Sequence, residues 1–154
     1  MDETLQKLVE NKQRIDLFGV KIDSITMSEA VSTIFGWMDK KGTNCKFVIT
    51  PNVDHIVQVQ SSVALQAAYK KAALVVTDGR PVVWAANFLG VHIPETVPGS
   101  DLVPAIFEYA QTNNKPIKVF LLGAMPGVAD RAKVLISQQW SLVDVVGTLS
   151  PDFG

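Results

Sequence analysis

The 154-residue sequence has a single cysteine, Cys45, so neither a disulfide framework nor a cysteine-rich zinc site can be assembled from it. Its two histidines, His55 and His92, leave too few ligands for a structural metal centre. Charge of one sign is also lacking. Fourteen Lys plus Arg face fifteen Asp plus Glu, a formal net charge of -1, which excludes the broad basic field of a non-specific nucleic-acid binder. No apolar run approaches the roughly 20 residues that span a bilayer. The first fourteen residues are charged throughout and hold no signal-peptide core. No Gly-Lys-Ser or Gly-Lys-Thr follows a glycine loop, and Gly-x-Gly-x-x-Gly does not occur, so the P-loop and dinucleotide fingerprints are missing. These absences point to a reduced, cytoplasmic setting.

What is present is apolar. Hydrophobic residues make up 47% and charged residues 19% of the chain, and mean hydropathy is +0.21, which predicts a sizeable core and excludes disorder. Residues 1–13 read as a short amphipathic helix, and Ile15 to Asp23 as a small strand pair or one bent strand around Gly19. Thr26 or Ser28 caps a helix with Ala30, Ile34, Trp37 and Met38 on one face, ending at Lys40-Lys41-Gly42. Cys45 to Ile49 reads as a strand. Val53 to Lys71 is helical with a break near Ser61-Ser62, turning Ala64, Leu65, Ala68 and Tyr69 inward. Ala73 to Val76 is a second strand, Pro81 to Leu89 a helix, and Gly90 to Ser100 a loop. A helix over Asp101 to Gln111, a strand over Ile117 to Leu122, a helix ending at Trp140 and a strand over Val143 to Val146 follow. Trp37, Trp84 and Trp140 are assigned to core or half-buried helix positions.

Buried strands alternating with helices predict an α/β fold: a Rossmann-like, mostly parallel sheet with helices on both faces and a small N-terminal strand pair. The expected organisation is an N-terminal helix at 1–13 and an α/β core over 14–154, truncated at its C-terminus. The stop after a core strand, in Pro151-Asp152-Phe153-Gly154, motivates that last expectation.

Ligands of such sheets bind beyond the carboxyl ends of the strands. Four apolar runs end there in small or polar residues: Thr50-Pro51-Asn52, Thr77-Asp78-Gly79, Gly123 to Gly127, and Gly147-Thr148. Asp78, at a strand tip, is placed either to act as a general base or to cap the next helix. Thr50 and Asn52 offer hydrogen bonds to a sugar or an amide, or serve as turn residues. Gly123-Ala124-Met125-Pro126-Gly127 leads into a helix whose free amides suit a diphosphate, with Pro126 at the first helical position. Ser100 suits a cap and Asp101 the helix dipole, while Asp54 and His55 follow Asn52 closely enough to face the same pocket.

In order along the chain, Val48-Ile49-Thr50-Pro51-Asn52, Val75-Val76-Thr77-Asp78-Gly79, Val97-Pro98-Gly99-Ser100-Asp101-Leu102, Val119 to Gly123 with Pro126-Gly127-Val128-Ala129, and Val145-Val146-Gly147-Thr148 resemble the WecG/TagA/CpsF glycosyltransferases, glycosyltransferase family 26. The resemblance implies an inverting transferase moving N-acetylmannosamine from UDP-N-acetylmannosamine to the 4-hydroxyl of N-acetylglucosaminyl-diphospho-undecaprenol, in the teichoic acid linkage unit. It implies Asp78 as the catalytic base and Thr50 and Asn52 in the pocket. Arg80, Ser100, Asp101, Gly123 and Gly127 join them as substrate-binding candidates. No metal or other cofactor is implied, and the sequence has no Asp-x-Asp motif. Where the family commonly has arginine just before Val97-Pro98-Gly99-Ser100-Asp101, this chain has Thr96, which removes a natural diphosphate clamp. The resemblance further implies membrane-peripheral placement, mainly through a C-terminal part beyond Gly154, and reduced turnover without it. Self-association is an additional expectation, from exposed apolar surface. The competing reading is a non-catalytic nucleotide-binding α/β module.

Overall fold

Asp23 fixes how the chain starts. A computed structural model describes residues 14–40 and 44–151. The N-terminal helix expected at 1–13, and Lys41-Gly42 at the end of the first described helix, lie outside the described residues. Arg14–Leu17 (β1) and Val20–Asp23 (β2) form an antiparallel hairpin, with Arg14 opposite Asp23 and Leu17 opposite Val20. Phe18 and Gly19 make its turn with positive φ (55° and 76°), and the Asp16 carboxylate accepts from the Gly19 N–H. The buried Asp23 carboxylate accepts from Arg14 Nε through Oδ1 (3.1 Å) and from the Val75 N–H through Oδ2 (2.8 Å).

The helix Met27–Met38 (α1) opens with a capping box. Thr26 Oγ1 accepts from the Glu29 N–H and the Glu29 carboxylate accepts from the Thr26 N–H, so Thr26 and not Ser28 is the cap. Val48–Ile49 (β3) and Leu74–Val75 (β4) pair in parallel. Main-chain bonds extend that contact from Phe47 to Pro51: Ala73 N–H to Phe47 O, Val76 N–H to Ile49 O, and Asp78 N–H to Pro51 O. The expected strand over Cys45 to Ile49 is shorter than predicted, since Cys45 to Phe47 are exposed and only Val48 and Ile49 enter a ladder.

Between these strands run Val53–Ser61 (α2) and Val63–Lys71 (α3), broken at Ser62. Ser62 ends one helix and caps the other, its hydroxyl accepting from the Leu65 N–H at 3.2 Å. Leu65, Ala68 and Tyr69 turn inward as expected, but Ala64 is exposed, because Val63 and Ala64 start α3 on its outer side. Arg80–Phe88 (α4) follows β4, with Pro81 in the first turn, where no intrahelical N–H bond is lost. Its Val82 and Ala86 are buried, whereas Trp84 is 66% exposed, contrary to its core assignment. Trp84 sits roughly opposite Val82 and Ala86 around the helix, so burying one side presents the other.

Gly99–Thr112 (α5) precedes Ile117–Leu122 (β5), Val128–Gln139 (α6) and Val143–Leu149 (β6). β5 and β6 are parallel, with an irregularity between Val119 and Phe120. The chain divides into two compact units, Met1–Leu102 and Val103–Gly154. The first is built on a cluster including Leu17, Ile22, Ile56, Tyr69, Val75, Val82 and Ile93. The second is built on Phe107, Ile136, Val143 and Val145, with Trp140 packed edge-on to Phe107 at 5.3 Å. The fold class is α/β and Rossmann-like, with parallel strand pairs and a small antiparallel pair at the start. Among the described residues the strands form three two-stranded sheets.

Candidate active site

The carboxyl ends of β3 and β4 bring three of the sequence motifs together within the first unit. The Asp78 N–H donates to Pro51 O at 2.9 Å, tying Thr77-Asp78-Gly79 to Thr50-Pro51-Asn52. The Val97 N–H donates to Thr77 O at 2.8 Å, which lays the Val97-to-Asp101 segment beside the same strand end. A Cβ on Gly99 would lie 3.2 Å from Thr50 Oγ1, so Gly99 and the Thr50 side chain are in close approach. Nothing in the sequence periodicity announces that approach; only the glycine in Val-Pro-Gly-Ser-Asp hints at it.

Asp78 is half-buried at the tip of β4. The next residue, Gly79, has φ 96° and ψ 142°, a backbone conformation open to glycine, and turns the chain into α4. Gly79 is itself the N-cap, and no side chain caps the helix. Asp78 therefore does not perform the capping role that competed with a catalytic one. Its carboxylate has no hydrogen bond or ion pair among the described residues. The half-buried Thr50 hydroxyl is equally unengaged among them. Two oxygen functions that can accept or donate to a hydroxyl-rich ligand thus stand at one strand end, in a chain segment whose main-chain groups are otherwise spent on pairing.

Asn52 is exposed and caps α2, its Oδ1 accepting from the His55 N–H at 3.0 Å, so part of its capacity goes to the turn chemistry that was the alternative for it. Its amide nitrogen makes no hydrogen bond among the described residues. His55 is half-buried, with Nδ1 3.4 Å from the Tyr69 hydroxyl. Burial raises the pKa of that hydroxyl above its ordinary value. His55 is thereby placed by a structural contact. Asp54 is exposed in the first turn of α2, where a carboxylate suits the helix dipole.

Arg80 is exposed at the start of α4 and has no ion pair among the described residues. Ser100 is not a cap: α5 begins at Gly99, so Ser100 is already helical. The Pro98 carbonyl accepts from Asp101 and Leu102, and the Ser100 hydroxyl lies 3.3 Å from Asp101 Oδ1. Asp101 lies in the first turn as expected, exposed like Ser100. Thr96 is half-buried directly before Val97, so the position where an arginine was expected adjoins the β4 end.

In the second unit, Gly123, Ala124 and Gly127 all have positive φ (114°, 62° and 81°). The Val128 N–H donates to Met125 O at 3.1 Å, and Gly127 (φ 81°, ψ -12°) takes the third position of that turn after Pro126. Those dihedrals define a type II turn. Pro126 therefore belongs to the turn and not to the first position of α6, which starts at Val128. The N–H groups of Ala124, Met125 and Gly127 make no hydrogen bond among the described residues, while Gly123 N–H is held by Leu149 O at 2.8 Å. Ser150 Oγ lies 3.2 Å from Gly123 O, and Thr148 Oγ1 donates to Asp130 Oδ1 at 2.6 Å. Among the described residues no three His, Cys, Asp or Glu side chains gather as metal ligands.

The model of the glycosyl transferase WecG/TagA/CpsF family matches residues 15–154. Proteins named N-acetylglucosaminyldiphosphoundecaprenol N-acetyl-beta-D-mannosaminyltransferase are similar to this chain. Those of Staphylococcus aureus strains NCTC 8325 / PS 47, COL and MRSA252 are each 29% identical over 130 residues, covering 84% of this chain and 50% of the relative. The chain spans about half the length of the curated relatives it matches.

Proposed function

We propose that this chain, which belongs to the WecG/TagA/CpsF glycosyltransferase family, is the part of an inverting transferase that carries the acceptor-activating base. In this reading N-acetylmannosamine moves from UDP-N-acetylmannosamine to N-acetylglucosaminyl-diphospho-undecaprenol in a β-1,4 linkage, a step of teichoic acid linkage-unit synthesis. The names of the similar proteins support the acceptor, the sugar and the anomeric outcome.

The observation that carries the reading is the unspent carboxylate of Asp78. It stands half-buried at a strand end beside the Thr50 hydroxyl's segment, with no helix to cap and no cation to neutralise among the described residues. Asp78 takes the proton of the acceptor 4-hydroxyl as that oxygen attacks the anomeric carbon. The new C–O bond forms as the bond to the UDP oxygen breaks, and the configuration inverts. Thr50 and Asn52 bind and orient sugar hydroxyls and amides. Negative charge growing on the departing diphosphate is met by main-chain N–H groups and cations without a metal. Arg80, Gly123 and Gly127, with the unengaged amides of Ala124 and Met125, are the groups of this chain suited to that role. Ser100 and Asp101 are assigned to the donor sugar, as exposed polar groups next to Gly99 and hence to Thr50.

The test is transfer itself. The chain is incubated with UDP-N-acetylmannosamine and a short-chain lipid-linked N-acetylglucosamine, and the product is read by mass and glycosidase sensitivity. A β-1,4-linked disaccharide product is expected. Tight UDP binding with no transfer by this chain or by a longer version carrying the same residues would favour a non-catalytic module.

A further inference from the structure

The outer face of α4 carries a stripe that the proposed chemistry does not use. Arg80, Trp84 and Phe88 are spaced i, i+4, i+8 and share one side of the helix, opposite the buried Val82 and Ala86. Trp84 is 66% and Phe88 91% exposed, and Leu89, at the C-cap, is 55% exposed. Large apolar side chains this exposed, in succession on one face, mark an interaction surface. Trp37 differs, half-buried with the Lys46 ammonium 5.3 Å from its ring centre. So does Trp140, whose Nε1 donates to Glu108.

The charge on this face selects the partner. Arg80–Phe88 contains one cation and no acid, and Arg80 has no ion pair among the described residues. A cation beside a tryptophan and a phenylalanine matches an anionic lipid–water boundary. There the guanidinium meets headgroup phosphates, the indole sits at the interface and the phenyl ring enters the acyl region. The helix also leaves Asp78 after one residue, Gly79, so the stripe begins at the candidate base. At 1.5 Å rise per residue, Trp84 and Phe88 lie about 6 and 12 Å along the axis from Arg80.

We propose that the Arg80–Trp84–Phe88 face of α4 docks this chain on the surface of an anionic lipid bilayer, side-on, which holds the Asp78 end of the helix at headgroup level. The proposal rests on the reading that the acceptor is lipid-linked. No helix among the described residues is long and apolar enough to cross a membrane, so α4 lies on the surface and does not span it.

The test uses sucrose-loaded vesicles of phosphatidylcholine, with and without phosphatidylglycerol, and a parallel set with brominated acyl chains. The parent chain should sediment with the phosphatidylglycerol vesicles, and brominated chains should quench part of its tryptophan fluorescence. Trp84→Phe should keep sedimentation and lose that quenching. Phe88→Ser should weaken sedimentation about tenfold or more, the scale of withdrawing one large apolar side chain from lipid. Phe88 is almost fully exposed, so its melting temperature should match the parent's. Arg80→Gln should lessen the preference for phosphatidylglycerol. Failure of the parent to sediment with anionic vesicles overturns the proposal. So does equal sedimentation by Phe88→Ser, or a parent that self-associates through Phe88 in sedimentation velocity without binding vesicles, which would give the face to a second copy. Transfer to a soluble acceptor without the polyprenyl chain separates the two readings. A chain that transfers to it but ignores vesicles defeats the docking face alone, and one that binds vesicles but transfers to no acceptor defeats the transferase alone.

Discussion

Asp23 Oδ2 accepts the Val75 main-chain N–H at 2.8 Å, across 52 residues of sequence, and so stitches the N-terminal hairpin to the strand that ends in Asp78. The same carboxylate holds Arg14 Nε, and Arg14 Nη2 donates in turn to the carbonyls of Ala72 and Ala73, just before that strand. A strand of two ladder residues gains an anchor on its N-terminal side from a carboxylate and a guanidinium in place of a longer ladder.

Asp23→Ala should therefore cost about 2–3 kcal/mol, since it orphans a buried N–H and breaks an ion pair. The cost stays below that of a fully buried pair because the Arg14 side chain remains 33% exposed. Asp23→Asn should cost less, because an amide oxygen can still accept from Val75. Urea titrations of the three proteins check the order, and an Asp23→Ala midpoint equal to the parent's would refute the anchor.

Asp78→Asn should leave the fold intact, with stability within about 0.5 kcal/mol of the parent, because Asp78 caps no helix and forms no ion pair among the described residues. Donor binding should persist while transfer falls by about two to four orders of magnitude, the usual worth of a general base. Calorimetric UDP titration alongside initial rates reads both. Parental turnover in the variant removes Asp78 from the mechanism.

Gly99→Ala pits two effects against each other. Alanine in the first turn of α5 gains roughly 0.5–1 kcal/mol of helix propensity. Its Cβ, however, would meet Thr50 Oγ1 at 3.2 Å and push that hydroxyl aside by a few tenths of an ångström. The expected outcome is a melting temperature close to the parent's with donor or acceptor binding weakened severalfold, partly recovered by adding Thr50→Ser. Unchanged binding in Gly99→Ala would mean that the position of the Thr50 hydroxyl is not read by substrate.

Transfer should survive exhaustive chelation. If main-chain amides and Arg80 meet the charge on leaving UDP, dialysis against EDTA should leave the rate within about twofold of the untreated protein, while Arg80→Gln should lower it by about tenfold or more. A rate that vanishes with EDTA and returns only with magnesium or manganese would reassign that charge to a metal.

The elements that sequence reading placed well depend on short-range chemistry. Ile117–Leu122 is an unbroken apolar run, the helix break at Ser62 follows from a cap side chain, and Thr26 with Glu29 writes a capping box three residues long. The misplacements have local competitors that were close in strength. Pro126 suits both a first helical position and a type II turn, and the turn forms because Gly127 follows it. Ser100 is a good cap by type, but Pro98 offers its carbonyl two residues earlier and Gly99 joins the helix. Trp84 looks like core by type; its angular position against Val82 and Ala86 sends it outward.

The sequence by itself determined the α/β alternation and the polar residues ending each strand, because strand period, helix caps and turn residues act over about four positions of chain. It left Asp78 undecided between cap and base, and it assigned Asp23 nothing. Tertiary structure decided both. Whether a carboxylate is spent depends on which distant donors reach it: Asp23 is met by Arg14 and Val75, while Gly79 takes the cap position and leaves Asp78 unspent among the described residues. The close approach of Gly99 to Thr50 is of the same kind, since two segments 49 positions apart meet only when β3 and α5 are packed.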